Sequence, residues 1–422
     1  MPDWSSSMTQ SYEFYEVTPT KDSYKDWVNV RRLTNVKTCV LNRDSQVDTL
    51  GSAMFDVTDS VGECYIRVYL VTVQNGVKER HSLGVYLAQT PSSSFDGKQR
   101  SVTMDAYTPL LELTEKSPDI GYYIKKGEDV MEYAYDLMNE NMRGPISRPA
   151  IPSTKLSFDF VADTSDTWLS FLTSLISAAT VTTCYRVDRD IEGNFIRTNE
   201  EIDTPNSNSI VELTDKTKSN DVVYQYTDTE GITHHYCLVE SIVHYKLDLD
   251  ENGRVIFMPD QDISSMTPVW TYNDDNSSIL YPDINMDHDL YGVPNVVEVV
   301  YADDKKYIVS RVVNDDPNSP ASTVARGREI VHRVINPDIH GEPTQKVIDK
   351  FAEDTLSSLS SVEYTITYEH GYCPVRVGDC VRLNYTRAGL KNIKARVTSQ
   401  TITCETGCSV SETAVFTNKL WR

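Results

Sequence analysis

The chain has 422 residues, which predicts two to four domains at roughly 100 to 200 residues per domain. Hydrophobic residues make up 39% and charged residues 24%, so the composition predicts a soluble globular protein and excludes a wholly disordered or collagen-like one. Lys and Arg number 40 against 62 Asp and Glu, a formal net charge of −22. This charge disfavours a surface that binds nucleic acid through its phosphates.

The N-terminal segment, residues 1–27, is interrupted by charges at Asp3, Glu13, Glu16 and Lys21. It therefore predicts no secretory signal, and no stretch of the chain approaches the ~18 to 20 apolar residues of a membrane span. The same segment has weak periodicity and is predicted to form an N-terminal arm. Eight scattered Cys without a secretory signal predict reduced, mostly buried thiols.

Strand-like runs fill residues 28–118, which we predict to be a first tube-like β-barrel domain. In the run CYIRVYLVTVQ (64–74), Ile66, Val68 and Leu70 fall on one face, and Asn75-Gly76 supplies the positive φ angles of a tight hairpin. The composition agrees, because 25 Tyr against 10 Phe, with many Thr and Val, favours half-exposed strands.

Three segments carry the apolar spacing of one helix face: 128–141, 167–179 and 345–360. Asp163, Ser165 and Asp166 precede the second segment and are candidates for its N-cap. All three helices are predicted to lie against sheets.

The remaining chain divides into three predicted parts. Residues 119–201 read as an α/β domain that ends in a hairpin turning at Glu192-Gly193. Residues 202–290 are polar, acidic and interrupted by prolines, which predicts an inserted acidic β-rich module. Residues 362–368 alternate apolar and polar side chains, and with the other strand-like runs of residues 291–422 they predict a second tube-like β-barrel domain there, with the helix 345–360 within it. The predicted fold class is therefore a β-rich α+β protein with two antiparallel β-barrels and smaller α/β modules.

Two acidic turns resemble the first half of a calcium loop. Residues 248–253 place acids before Gly253, but position twelve is Pro259, so an acidic hairpin turn is the better interpretation. Asp188, Asp190 and Gly193 repeat the pattern, with Asn199 where the bidentate Glu belongs.

Two Cys and His groups were considered as metal ligands: Cys373, Cys380, Cys404 and Cys408, and His234, His235, Cys237 and His244. The Cys spacing is looser than a zinc knuckle, and two of these Cys fall within apparent strands, where burial is ordinary. Adjacent His residues on a strand point to opposite faces, so a shared metal is disfavoured. We therefore predict no metal site.

Catalytic and nucleotide motifs are missing from the sequence. It has no G-x-S-x-G, H-E-x-x-H, Walker loop or G-x-G-x-x-G. Pairs such as Asp315 and Asp316 are expected by chance among 62 acids and are read as solvated surface. We predict no catalytic residue, no cofactor site and no enzyme activity.

Several segments together resemble the hub proteins of long-tailed bacteriophages, of the gp27 type. In chain order they are VRRLTNVKTC (30–39), GSAMFDV (51–57), CYIRVYLVTVQNG (64–76), LGVYLAQTP (83–91), RSVTMDAYTPLLEL (100–113), YIKKGEDV (123–130), residues 167–194 and VRVGDCVRLNY (375–385). They span most of the chain and carry strands and turns without a catalytic signature.

The resemblance implies a structural subunit of the virion tail, made in the host bacterial cytoplasm. Such a hub forms a homotrimeric ring in which two barrels per subunit imitate a sixfold ring and adapt the tail tube to a threefold tip. The implied partners are the tail tube or distal tail protein, the tape measure protein and a central spike or tip protein. The acidic surface is then expected to line a channel through which DNA is ejected without sticking. No sequence-specific nucleic-acid binding is implied.

Two other functions stay open at this point. A cell-wall-degrading enzyme would need a catalytic domain; because the sequence ends at residue 422 after the last barrel strands, the resemblance implies that such an enzyme is a separate protein. A carbohydrate-binding module would use exposed aromatic residues. Trp4, Trp27, Trp270 and Trp421 are isolated, and residues of this kind are more often packing anchors.

Overall fold

The computed structural model describes residues 2–20, 25–59, 62–95, 97–98, 100–149, 154–206, 209–275, 278–288, 290–303, 305–337 and 343–421. Within these ranges strands far outnumber helices, so the predicted β-rich class is confirmed. No helix in these ranges has both the length and the apolar character needed to cross a membrane.

The elements are numbered in chain order. The first half contains β1 (Thr9–Pro19), β2 (Trp27–Leu33), β3 (Val36–Asp44), β4 (Gly51–Val57), β5 (Cys64–Gln74), β6 (Val77–Phe95), β7 (Arg100–Tyr107), α1 (Leu111–Thr114), β8 (Tyr123–Ile124), α2 (Val130–Asn141), β9 (Lys155–Leu156), β10 (Phe160–Val161), α3 (Trp168–Ser177), β11 (Ala179–Arg189) and β12 (Phe195–Glu201). The second half contains β13 (Val211–Lys216), β14 (Val222–Thr227), β15 (Thr233–Ile242), β16 (Tyr245–Leu249), β17 (Val255–Pro259), β18 (Trp270–Asn273), β19 (Leu280–His288), β20 (Val296–Ala302), β21 (Tyr307–Val313), α4 (Thr323–Arg326), β22 (Val331–Ile335), α5 (Gln345–Leu359), β23 (Ser361–Gly371), β24 (Cys380–Asn384), β25 (Ile393–Cys404) and β26 (Ser409–Lys419).

One sheet of 13 strands, called the large sheet below, joins the two ends of the chain. Its order is β19-β23-β26-β25-β3-β4-β7-β6-β5-β1-β2, with β24 beside β25 and β18 beside β24. The antiparallel pair β3 and β25 connects the N-terminal strands to the C-terminal ones, with Leu41 opposite Ile402. A single apolar core runs beneath both halves, from Phe14 and Phe55 to Ile366 and Val397.

Three smaller units complete the fold. A six-stranded sheet contains β9 and β11 to β15, and a three-stranded sheet contains β20, β21 and β22. Helix α5 packs on the three-stranded sheet through Ile348, Ala352 and Leu356. Helices α2 and α3 share a core with the two-stranded hairpin of β16 and β17.

Local predictions agree closely with these elements. The hairpin of β5 and β6 turns at Asn75 and Gly76, whose φ angles are +52° and +78°. Helices α2 and α5 match the predicted segments, with Asp129 and Thr344 as their N-caps. The cap predicted for α3 was wrong: Thr167 is the N-cap, because its hydroxyl accepts from the Ser170 N–H in a capping box.

The arm predicted for residues 1–27 is the first correction. Most of it forms β1, which lies between β2 and β5 in the large sheet. The strand alternates Tyr12 and Phe14, which face the core of the large sheet, with Glu13 and Tyr15, which lie on the opposite face of the sheet. This period of two was present in the sequence and was missed. Residues 1 and 21–24 of the predicted arm lie outside the described residues.

The inserted module predicted for residues 202–290 is the second correction. Its strands are divided among several units: β13 to β15 extend the sheet of β11 and β12, β16 and β17 pack against α3, and β18 and β19 belong to the large sheet. These pairings join strands that are far apart in sequence, so composition alone did not reveal them.

The second barrel predicted for residues 291–422 is built differently from the prediction. Strands β20 to β22 and α5 form their own unit, and only β23 to β26 of this segment enter the large sheet. The closure of each half of the large sheet into a tube, including the one predicted for residues 28–118, stays a prediction.

Candidate functional site

The core of the large sheet encloses a network of buried polar side chains centred on Glu412. Tyr368 donates to Glu412 Oε2 at 2.7 Å, Tyr272 donates to the same oxygen at 3.1 Å, and the Gln400 amide donates to Oε1. His370 Nε2 lies 3.3 Å from Oε1. All five side chains are at most 2% exposed, so the network is sealed from solvent.

The network holds a charged pair. Burial alone would lower the pKa of His370, but its contacts with Cys373 and Glu412 outweigh burial and raise this pKa to about 10. Burial would likewise raise the pKa of Glu412, but His370, Tyr368 and Gln400 outweigh it and lower the pKa. Imidazolium and carboxylate therefore coexist in the core, where each stabilises the charged form of the other.

His370 contacts both Cys373 and Glu412, as the base of a catalytic triad contacts its nucleophile and its acid. The distances and the burial indicate a structural role instead. His370 Nδ1 donates to the Gly371 carbonyl at 2.6 Å, while Cys373 Sγ lies 3.9 Å from that nitrogen. Cys373 is 1% exposed, so no substrate reaches the thiol in this conformation. We assign the network to holding β18, β23 and β26 together.

Sequence reasoning missed this network, although the pattern contained a signal. On β26, Glu412 lies between Val410 and Ala414 in the alternating set of buried residues. On β23, His370 belongs to the corresponding buried set with Ile366 and Tyr368. A charged residue at an inward position of a strand predicts a buried partner. The partner Tyr272 comes from β18, about 100 residues away, and no local pattern predicts it.

A cavity of about 210 Å³ lies where β3, β6, α3 and the hairpin of β16 and β17 meet. Arg43 reaches into its wall and donates to the Leu83 carbonyl at 2.8 Å and to Gln400 at 3.3 Å. Burial raises the pKa of Asp248, although Arg376 lies 3.8 Å away. The charged side chains that line the cavity are Arg43, Lys246 and Arg376 together with Asp44, Asp48, Asp248 and Asp250.

The Cys and His residues that are candidate metal ligands lie apart from one another or are buried in the fold. Seven of the eight Cys are buried, which confirms the predicted burial of the thiols. His234 contacts Asp228 at 2.8 Å and stacks on Tyr226, whereas its neighbour His235 packs against Phe195. Across the ranges that the structure describes, no three His, Cys, Asp or Glu residues are placed to hold one ion.

Both calcium-like loops are hairpin turns. Asp250 accepts the backbone N–H groups of Asn252 and Arg254, at 2.9 and 2.8 Å, and so closes the turn between β16 and β17. Asp190 accepts the N–H groups of Glu192 and Asn194 in the same way, both at 2.9 Å. The interpretation as acidic turns is confirmed, because these carboxylates stabilise backbone.

The Trp residues named in the sequence pack within the fold. Trp4 is 8% exposed and makes edge contacts with His81 and Tyr372. Trp27 is 5% exposed and donates to the Gly253 carbonyl at 3.2 Å. Trp270 and Trp421 are partly buried against separate apolar cores. The prediction of packing anchors is confirmed, and these residues form no exposed aromatic platform.

The two end strands of the large sheet have complementary side chains. Strand β2 carries Arg31, Arg32 and the exposed Val28 and Val30, and it has no acidic residue. Strand β19 carries two Asp, at 283 and 287, with Tyr281 and Met286 exposed, and it has no Lys or Arg. Each strand has one strand partner among the described residues. The charged residues of β2 are therefore basic and those of β19 acidic, although Arg31 and Arg32 lie 2.6 Å and 3.8 Å from the carboxylates of Glu16 and Glu13 on β1.

Comparison with known proteins places the fold. No family model matches the chain, and no curated protein matches it. A tail protein from Neisseria meningitidis superposes with a TM-score of 0.52 at 10% identity, over 98% of both chains. A 43 kDa tail protein of prophage MuSo2 from Shewanella oneidensis superposes with a TM-score of 0.50 at 8% identity, over 96% of this chain and 98% of the other. The chain therefore has the fold of these tail proteins, and the predicted resemblance is confirmed for the fold.

Proposed function

We propose that the chain is a structural subunit of a bacteriophage tail tip or baseplate hub, located in the virion tail and without enzyme activity. The observation that carries this proposal is the large sheet. Two segments at opposite ends of the chain build it jointly, and the superposition on two tail proteins covers nearly the whole chain. A subunit of this kind acts through the surface of its sheets.

The subunit forms a homotrimeric ring in this proposal. The outer edges of β2 and β19 support it: among the described residues neither pairs with a further strand, and such an edge is a template for another chain. The two strands also carry charged side chains of opposite sign. Pairing β2 of one copy with β19 of the next is a heterologous contact, which generates a ring when the rotation closes.

The ring adapts the sixfold tail tube to a threefold tip. Each copy contributes two strand-built halves joined at β3 and β25, so three copies present six similar units to the tube. The tail tube or distal tail protein would contact one side of the ring and a central spike or tip protein the other. The tape measure protein would reach the ring through its channel.

The channel wall is acidic in this proposal. Three copies at −22 each give a strongly negative ring, which repels the DNA phosphates and lets DNA pass without binding. Neutralising carboxylates that face the channel should leave assembly intact and slow DNA ejection. Unchanged ejection would count against the acidic channel.

The edge contact is tested by placing charge on β2. Val28→Glu together with Val30→Glu should abolish ring formation, because it puts carboxylates opposite the acidic β19 edge. Ile191→Glu is the matched control, since Ile191 is fully exposed in the turn between β11 and β12. Native mass spectrometry of assembled tail tips measures the copy number, and rings that survive the β2 variant would refute the edge contact.

A peptidoglycan digestion assay addresses the enzyme alternative. The purified chain should leave peptidoglycan intact, and release of soluble fragments would contradict the proposed structural role.

A further inference from the structure

A compact basic surface lies on the outward face of the large sheet, near its β2 end. We call it the basic face; its members are Arg32, Arg67, Lys78 and Arg80, with Glu13, Tyr15 and Tyr69 between them. The register places them together: Tyr15 lies opposite both Arg32 and Arg67, Val71 lies opposite Arg80, and Val73 lies opposite Lys78. Core residues such as Phe14 and Val68 occupy the opposite face of the same strands.

Three of the cations share one carboxylate. Glu13 lies 2.8 Å from Arg80 Nε, 3.4 Å from Lys78 Nζ and 3.8 Å from Arg32 Nη2. The Glu13 side chain is 6% exposed, whereas the three cations are 52% to 56% exposed. Burial would raise the pKa of Glu13, but Arg80 and Lys78 outweigh burial and lower it. One buried carboxylate thus anchors three cations whose charge still faces solvent.

Arg67 adds a fourth cation, which is 8% exposed. Its Nη1 donates to the Tyr69 hydroxyl at 3.0 Å and to Asn29 Oδ1 at 3.5 Å, both neutral acceptors. Its Nε has no hydrogen-bond partner among the described residues. A buried donor without an acceptor is costly, and a carboxylate satisfies a guanidinium with two parallel hydrogen bonds.

The charge of this surface is opposite to that of the chain. Four cations and one carboxylate give the basic face a local charge of +3, within a protein of net charge −22. An anionic ligand is therefore attracted to this surface, although the net charge of the chain is negative. The four strands β2, β1, β5 and β6 span roughly 14 Å at ~4.8 Å per strand, so the ligand must be small in cross-section.

The small extent of the basic face favours a polypeptide ligand over nucleic acid. A DNA duplex carries one charge per ~1.7 Å along its length and would continue over the acidic remainder of the chain. A short acidic segment can place its carboxylates within the basic face alone. The aromatic rings of Tyr15 and Tyr69, whose centroids are 5.8 Å apart, offer contact area between the cations.

We propose that the basic face docks an acidic segment of a partner polypeptide, with carboxylates bound by Arg67 and by the cluster of Arg32, Lys78 and Arg80. This interaction goes beyond the proposed ring function. One copy of the chain carries the whole surface, so docking requires no ring.

The test uses the full chain and a fluorescein-labelled deca-glutamate peptide. Fluorescence anisotropy should show saturable binding that weakens as salt is raised from 50 to 150 mM, because the contacts are charged. Lys78→Gln together with Arg80→Gln should weaken binding at least tenfold. Lys125→Gln together with Lys126→Gln is the matched control, since these exposed lysines lie outside the basic face, and it should change binding less than twofold.

Arg67→Lys separates geometry from charge, because Lys keeps the charge and loses the planar fork. We expect it to weaken peptide binding at least threefold while circular dichroism shows the native fold. The proposal is overturned if the peptide does not bind, if the double variant binds as the unaltered chain does, or if a 20-base-pair duplex binds more tightly than the peptide. Because rings are absent from this assay, its failure leaves the proposed hub function untouched.

Discussion

At the residue scale, the most constrained group is the buried pair of His370 and Glu412. Its two charges stabilise one another, and neutral groups hydrogen-bond to them: the Tyr272 and Tyr368 hydroxyls donate to Glu412, and the Gly371 carbonyl accepts from His370. The pair therefore holds β18, β23 and β26 in one arrangement. The alternation of β23 and β26 could have revealed that both side chains point inward. The third strand could not have been found, because Tyr272 reaches the pair through a contact between distant segments.

The buried pair predicts a pH dependence of stability. The pKa of His370 is raised from an ordinary value of 6.5 to about 10, so its contribution is fully present below pH 6.5 and is lost as the pH rises through 10. The free energy of unfolding should therefore fall between pH 7 and 10, and His370→Gln should flatten that decline. The same variant should cost about 3–5 kcal/mol at pH 7, because Glu412 stays buried without its counter-ion. Denaturant unfolding at several pH values measures both effects, and parallel curves would contradict the assignment.

Tyr272→Phe tests the link from β18 to the pair. The variant removes the hydroxyl that donates to Glu412 at 3.1 Å, and should lower the free energy of unfolding by about 1.5–3 kcal/mol. Tyr307→Phe is the control, because Tyr307 is 73% exposed, and its effect should stay within about 0.5 kcal/mol. Equal effects of the two variants would show that the Tyr272 hydroxyl contributes nothing.

At the element scale, local sequence patterns predicted the turns and helices that depend on neighbouring residues. Asn75-Gly76 fixed the β5–β6 turn, and the apolar stripes fixed α2, α3 and α5. These patterns could not predict which distant strands pair. The alternation of apolar and polar residues indicates which face of a strand is buried, but not which strand lies beside it. The prediction of an inserted module was wrong for this reason. The prediction of an N-terminal arm was wrong for a different reason, because it overlooked the period of two in residues 12–15.

At Gly253 the β16–β17 hairpin packs closely against β6 of the large sheet. The φ of this glycine is +71°, and an added Cβ would lie 2.6 Å from Val85 Cβ on β6. Gly253→Ala should therefore push the β16–β17 hairpin off the large sheet. Gly193→Ala is the matched control, since Gly193 has φ +87° in a similar acidic turn and open space around it.

Both alanine variants carry the strain of a positive φ, so their difference isolates the clash. We expect Gly253→Ala to cost about 1–3 kcal/mol more than Gly193→Ala in denaturant unfolding. Equal costs would show that the hairpin is not held against β6.

At the scale of the whole molecule, the large sheet joins strands from the two ends of the chain, so we expect both ends to unfold as one cooperative unit. Leu41 is fully buried in β3 at the junction with β25, in the core that both halves share. Leu41→Ala should cost about 2–5 kcal/mol, because it leaves a cavity in that core.

Hydrogen exchange of the Leu41→Ala variant shows which strands lose stability. Protection should fall in β5 and in β26 alike, because both strands depend on the same core. A loss confined to β3 and β4 would mean that the halves are independent domains.

We propose that three copies of this chain wall the channel of a tail tip. Electron microscopy of isolated tail tips, with the chain marked by an antibody fragment, measures copy number and symmetry together. We expect three marks, each a bound antibody fragment, related by a threefold axis around a channel lined by the large sheets. A single mark, six marks, or marks away from the tail axis would contradict it.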